Sequence, residues 1–126
     1  MIGYVTLGTN DLERAVAFYD ELLALVGASR FMTEEGIFVA WAASHDQAGI
    51  SVTRPYNGEP ATTGNGTMVA LAADSPEMVD RVYAKAMELG GTDEGPPGQR
   101  SDAFYAAYFR DLDGNKLNVF HMKMPA

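Results

Sequence analysis

The two histidines, His45 and His121, are the side chains of this chain that could ligate a metal or shuttle a proton near neutral pH. Their contexts argue against a shared site. His45 sits in the polar stretch Ser44-His45-Asp46-Gln47, which has the composition of a hairpin tip. His121 follows Phe120 near the chain end. If Asn118 faces one side of a strand, alternation puts Phe120 on that side and His121 opposite. Edge or surface positions are expected for both histidines. The carboxylates pass the same test no better. Asp11, Glu13, Asp20, Glu21, Glu77, Asp80 and Glu88 fall where helices are expected and read as solvated helical faces. Asp111 and Asp113 flank a turn, where side-chain to backbone hydrogen bonds explain them. Glu34-Glu35-Gly36 reads as a hairpin loop. Gly64-Asn65-Gly66 and Gly90-Gly91 lack the spacing of a phosphate loop and read as tight turns. There is no cysteine, so there is no thiolate ligand or nucleophile, and no serine stands in a nucleophile elbow.

The scaffold that must position any site is small. At 126 residues, one domain over 1–126 is expected, and a chain this long buries roughly two-thirds of its unfolded surface. The apolar fraction of 47% and charged fraction of 21% are those of a globular protein and exclude disorder, collagen and coiled coil. No apolar run reaches the roughly 18–20 residues that span a bilayer. The opening Met-Ile-Gly-Tyr-Val-Thr-Leu does not resemble an export signal, so a cytoplasmic location is expected. The net charge of −8, with nine scattered basic residues, makes nucleic acid and anionic membrane poor partners.

The chain contains itself twice. Tyr4-Val-Thr-Leu-Gly-Thr-Asn-Asp-Leu-Glu13 aligns without a gap on Met68-Val-Ala-Leu-Ala-Ala-Asp-Ser-Pro-Glu77, an offset of 64 residues that also pairs Tyr19 with Tyr83, Leu25 with Leu89 and Gly27 with Gly91. Both copies read as strand, cap, amphipathic helix and glycine stop. In copy one the strand is expected over Ile2–Thr6. The helix starts at Thr9-Asn10-Asp11, and its stripe runs through Leu12, Ala15, Val16, Tyr19, Leu22, Leu23 and Val26. In copy two Asp74-Ser75-Pro76 is the start signal, with Val79, Val82, Tyr83, Ala86 and Leu89 as the stripe. Short strands are expected at Ala28–Met32, Ile37–Ala43 and Gly49–Arg54, then at Thr92–Glu94, Phe104–Arg110 and Lys116–Met122. Residues 56–66, rich in Gly, Pro and Thr, read as the linker between modules at about 2–55 and 67–122. The class is α+β, with two βαβββ modules that must share a core.

Two segments carry a family resemblance. Tyr4-Val-Thr-Leu-Gly-Thr-Asn-Asp-Leu-Glu-Arg-Ala-Val-Ala-Phe-Tyr19 and Phe109-Arg-Asp-Leu-Asp-Gly-Asn-Lys-Leu-Asn118 resemble the paired motifs of the vicinal oxygen chelate superfamily, also called glyoxalase/bleomycin-resistance/dioxygenase. The resemblance covers about residues 2–122 and implies two βαβββ modules forming a cup-shaped mixed sheet. It implies several possible chemistries, since the fold does not fix one. In the superfamily's metalloenzymes, four cup-facing positions hold a divalent ion. Carried over, they fall on Tyr4, Ser51, Met68 and Asn118, where histidine and carboxylate would be usual. A phenol, a hydroxyl, a thioether and an amide bring no formal charge to offset the desolvation of a dication. No metal and no cofactor is therefore expected.

The residues around those positions suit a small molecule better. Tyr4, Met68, Asn118 and Phe120 are expected to face the cup, with Trp41, Arg54, Tyr56, Tyr105 and Tyr108 as neighbours. The expected role is binding of a small organic molecule, similar to the bleomycin-resistance branch, by a homodimer. The alternatives are a metal-dependent lyase or dioxygenase with displaced ligands, and a catalytically silent interaction protein.

Overall fold

A computed structural model describes residues 1–123; residues 124–126, the end of the expected domain, lie outside the described residues. The order of elements is β1 (Tyr4–Gly8), α1 (Leu12–Ala24), β2 (Ser29–Glu34), β3 (Phe38–Ala42), β4 (Gly49–Thr53), β5 (Val69–Ala72), α2 (Pro76–Glu88), β6 (Thr92–Ser101), β7 (Phe104–Arg110) and β8 (Lys116–Met122). The protein is α+β, two βαβββ units in sequence, as the repeat requires. Each unit folds into one four-stranded mixed sheet, ordered β1-β4-β3-β2 and β5-β8-β7-β6. In each, the first strand pairs parallel with the last, and the other pairings are antiparallel. Both helices have 13 residues, and among the described residues no helix is long and apolar enough to cross a membrane.

The caps form where the sequence places them. Asp11 is extended and its carboxylate accepts from the Arg14 amide, which fixes the start of α1. Ser75 does the same for the Met78 amide of α2, followed by Pro76 in the first turn. Gly27 and Gly90 take the left-handed conformation just past the helices, with φ of 81° and 98°.

β2, β3 and β4 differ from expectation by one or two residues at their ends, and β1 and β6 differ more. β1 begins at Tyr4 rather than Ile2, because its partner β4 begins at Gly49, opposite Tyr4. β6 runs for ten residues rather than the three expected over Thr92–Glu94. Gly95-Pro96-Pro97-Gly98 reads as a breaker, since two prolines cannot donate to a ladder. β6 is an edge strand, so only one side must pair, and the ladder to β7 survives with register breaks around Gly95 and Gly98.

The helix-facing side of each sheet forms one shared core. Leu7, Val39, Trp41, Ile50 and Val52 of the first unit and Ala107, Phe109, Leu117 and Val119 of the second belong to the same buried cluster, with Phe18, Tyr19, Leu22, Val79 and Val82 from the helices. The helices also touch each other. The two sheets meet through this core and through the β7–β8 turn. There Asp111 is buried and accepts four hydrogen bonds. The amides of Asp113 and Asn115 reach Oδ1, each at 2.9 Å, while Asn115 Nδ2 at 2.9 Å and the Tyr19 hydroxyl at 2.6 Å reach Oδ2. Burial, then the Asp111 carboxylate, push the Tyr19 phenol well above its ordinary range, so it stays a donor. Asp113 accepts from the Asn10 amide and pairs with Arg14, and Asn115 Nδ2 donates to the Gly8 carbonyl. Asp111 and Asp113 do shape the turn, and they also bolt the second unit onto the first helix.

Candidate functional site

Strand alternation leaves the other face of each sheet without a helix. On the first sheet the register pairs Tyr4 with Gly49 and Thr6 with Ser51, so Tyr4, Thr6 and Ser51 share that open face. On the second it pairs Tyr108 with Asn118 and Ala106 with Phe120, so these four share the open face there. Ala70 stands opposite Asn118 as Thr6 stands opposite Ser51, which repeats the 64-residue offset in three dimensions.

The four cup positions divide by depth. Tyr4 is 53% exposed and Met68 42%, while Ser51 and Asn118 are buried. Ser51 Oγ has Thr6 Oγ1 at 2.9 Å and the Val5 carbonyl at 3.2 Å as partners. Asn118 Nδ2 donates to the carbonyls of Ala107 and Val119, at 3.0 and 3.3 Å. Ser51 Oγ and Asn118 Nδ2 are thus bonded within the sheets that carry them, while Asn118 Oδ1 has no hydrogen-bond partner among the described residues. The set does not fit a divalent metal. The buried members are a neutral hydroxyl and a neutral amide, and the exposed members are a phenol and a thioether, so the set brings no formal charge to a dication. Among the described residues no three His, Asp or Glu side chains come close enough to replace them.

Within one chain the open faces do not close on a single cavity. Tyr4 lines a cavity of about 580 Å³ with Phe31, Met32 and His45. Met68 lines another of about 520 Å³, with Ile2, Leu23, Val26 and Ile50. Arg54 and Tyr56 line a third of about 460 Å³ beside Asn10 and Pro60. Arg54 reaches only the Gly36 carbonyl and makes no ion pair among the described residues. Trp41 lines the Met68 cavity from the core side. It is 1% exposed and faces α1, where its ring packs on Tyr19 and its Nε1 donates to Asp20 at 2.8 Å. Its place in the strand puts it one residue out of phase with Ala40 and Ala42, so it belongs to the core side. Tyr105 likewise turns to the helix side and donates to Asp80. Asp20 is held below its ordinary range by hydrogen bonds from Arg30 and then Trp41.

Phe120 and Tyr108 do lie on the open face. Phe120 stacks on Phe104 with ring centroids 5.4 Å apart. Tyr108 lies under two cations, with the Arg100 guanidinium and the Lys116 ammonium each 5.6 Å from its ring centroid. Phe31, Met32, Phe104, Arg100 and Lys116 are open-face residues that the sequence reading passed over. The register breaks in β2 and β6, at Arg30/Met32 and around Gly95 and Gly98, shift the alternation that would have assigned the first two and Arg100. Period-2 counting from Tyr108 and Asn118 reaches Phe104 and Lys116 without difficulty. His121 turns away from the open face, with Nδ1 3.1 Å from the Ala73 carbonyl.

The geometry has counterparts among known proteins. Residues 1–119 match the model of the Glyoxalase/Bleomycin resistance protein/Dioxygenase superfamily. A glyoxalase/bleomycin resistance protein from Albidiferax ferrireducens T118 is 40% identical over 99% of both chains, with a TM-score of 0.88. A family enzyme from Burkholderia phytofirmans PsJN shares the fold at 20% identity over 95% of this chain and 97% of its own, with a TM-score of 0.76. Lactoylglutathione lyase from Agrobacterium tumefaciens does so at 22% identity, over 96% and 92%, with a TM-score of 0.68. No curated protein matches the chain.

Proposed function

Since the chain belongs to the glyoxalase/bleomycin resistance/dioxygenase superfamily, we propose that it binds a small organic molecule on the open sheet faces, without a divalent metal at the superfamily's usual positions. The observation that carries this reading is the make-up of those faces. Tyr4, Phe31 and Met32 stand exposed on the face that carries buried Ser51, Met122 stands exposed on the face that carries buried Asn118, and Met68 is exposed just before β5. Large exposed apolar side chains on such open sheet faces mark a binding face rather than a solvated one. Aromatic rings and thioethers offer stacking and soft contact, as a small-molecule site needs.

One chain leaves these faces open, so the cup is completed by a second copy in a symmetric homodimer. The apolar side chains of β1 and the segment before β5, both edge strands, favour a partner there. Light scattering should give about twice the 13.6 kDa of the chain. Elemental analysis of protein purified without chelator should find less than stoichiometric zinc, nickel, iron and manganese. One tightly held metal per chain, lost on changing Tyr4 and Met68 together, would overturn the metal-free reading and favour an enzyme with displaced ligands. A monomer at micromolar concentration would overturn the shared cup.

A further inference from the structure

Four of the nine basic side chains, Arg14, Arg30, Lys85 and Arg110, pair with carboxylates. Among the described residues Arg100 and Lys116, like Arg54, Arg81 and Lys123, do not, although the chain carries a net charge of −8. Instead both stand over one ring, that of Tyr108, with β6, β7 and β8 contributing one residue each. The nearby acids have other partners: Glu94 accepts from Arg110 at 2.5 Å, which holds its carboxyl below the usual range, and Asp93 accepts from the Tyr83 hydroxyl and the Gly95 amide. Neither carboxylate forms an ion pair with Arg100 or Lys116 among the described residues, so both cations keep donors free beside Tyr108.

The irregular part of β6 is built around this cluster. A Cβ at Gly95 would lie 3.3 Å from Tyr108 Cδ2 and 3.4 Å from Arg100 Nη2, and one at Gly98 would lie 2.9 Å from Arg100 Nη1. Gly95 also has φ of 154°, a conformation that other residues avoid. Between the two glycines, the Pro96 carbonyl accepts from Arg100 Nη2 at 2.7 Å. The Gly-Pro-Pro-Gly segment thus lays the guanidinium against the ring and fixes it there. Beside it, on the same face, lie the stacked rings of Phe104 and Phe120.

We infer that Arg100, Lys116 and Tyr108 form the anion subsite of the cup, and that the ligand is an organic carboxylate with a planar apolar body. The inference rests on the ligand-binding reading above. A guanidinium already oriented on a ring presents its remaining N–H groups to a carboxylate at little entropic cost, and Lys116 adds a second charge. The planar body has Tyr108 and the Phe104–Phe120 stack to lie on.

The test titrates 2-naphthoate and its neutral amide, 2-naphthamide, into the full-length protein by calorimetry at low and moderate salt. Naphthoate should bind about tenfold or more tightly than the amide, as a charge-assisted hydrogen bond implies, and should weaken with salt. The Arg100→Gln/Lys116→Gln double variant should reduce naphthoate to the level of the amide. Gly98→Ala, which displaces the guanidinium without removing it, should weaken naphthoate alone. Equal binding of both probes would overturn the anion subsite and leave the ligand-binding reading standing. A carboxylate preference that survives the double variant would likewise overturn it. Binding of neither probe would count against both proposals.

Discussion

Removing the Tyr19 hydroxyl should loosen the joint between the two units. In Tyr19→Phe the ring still fills its place in the core, against Phe18 and Trp41, so no cavity forms. What is lost is one donor to a buried carboxylate: Asp111 keeps the two backbone amides and Asn115 Nδ2. Hydrogen bonds to charged groups contribute roughly 1.5–3 kcal/mol, so Tyr19→Phe should cost about 2 kcal/mol. With a urea m-value of about 2 kcal/mol/M, the midpoint should fall by about 1 M with m unchanged. The internal repeat supplies the control. Tyr83 holds the equivalent place in α2 and donates to Asp93 at 2.8 Å, at an exposed site, so Tyr83→Phe should cost less than about 0.5 kcal/mol. The phenol also predicts a pH signature. Burial and the Asp111 carboxylate raise its folded pKa above the ordinary phenol value of about 10, so the stabilisation is complete below pH 10. It is lost as pH rises above 10, where the unfolded chain ionises first. Wild type should therefore lose more stability than Tyr19→Phe between pH 10 and 11.5. Equal midpoints for Tyr19→Phe and Tyr83→Phe, or identical alkaline limbs for wild type and Tyr19→Phe, would refute this account of the joint.

Three further outcomes follow from other parts of the structure. Gly91→Ala should destabilise by about 1–3 kcal/mol in urea titrations, because the new Cβ would lie 2.8 Å from the Ala86 carbonyl oxygen and 2.9 Å from that of Arg110, neither on a flexible side chain. Asp20 has a lowered folded pKa, so its contribution is present above about pH 4 and is lost as pH falls further; Arg30→Gln should flatten that acid limb, followed by the fluorescence of Trp41. Met68→Trp should change stability by less than about 1 kcal/mol, since the side chain it replaces is 42% exposed, yet it should block ligand-induced thermal shifts. A strongly destabilised Met68→Trp protein would instead mean that this position is packed core.

The repeat, the caps and the helical stripes are local patterns, and local patterns were enough for the two units. Asp11 and Ser75 start helices, Gly27 and Gly90 follow them, and Phe104–Arg110 and Lys116–Met122 appear with the bounds that alternation gives. Alternation also assigned Asn118 and Phe120 to one face and His121 to the other, because β8 is unbroken. It failed where the chain is irregular or where a residue's partner is remote in sequence. The length of β6 depends on β7 pairing again at Gly98, beyond the two prolines that the ladder skips. Trp41 faces the core because β3 is buried against α1, which composition does not reveal. Asp111 acquires its role from Tyr19, 92 residues away, and Arg100 acquires its orientation from Tyr108 and two glycines that leave room for it. Residue types determined which contacts were chemically possible. Only tertiary structure decided which were made, because burial and charge balance depend on neighbours that sequence separation hides.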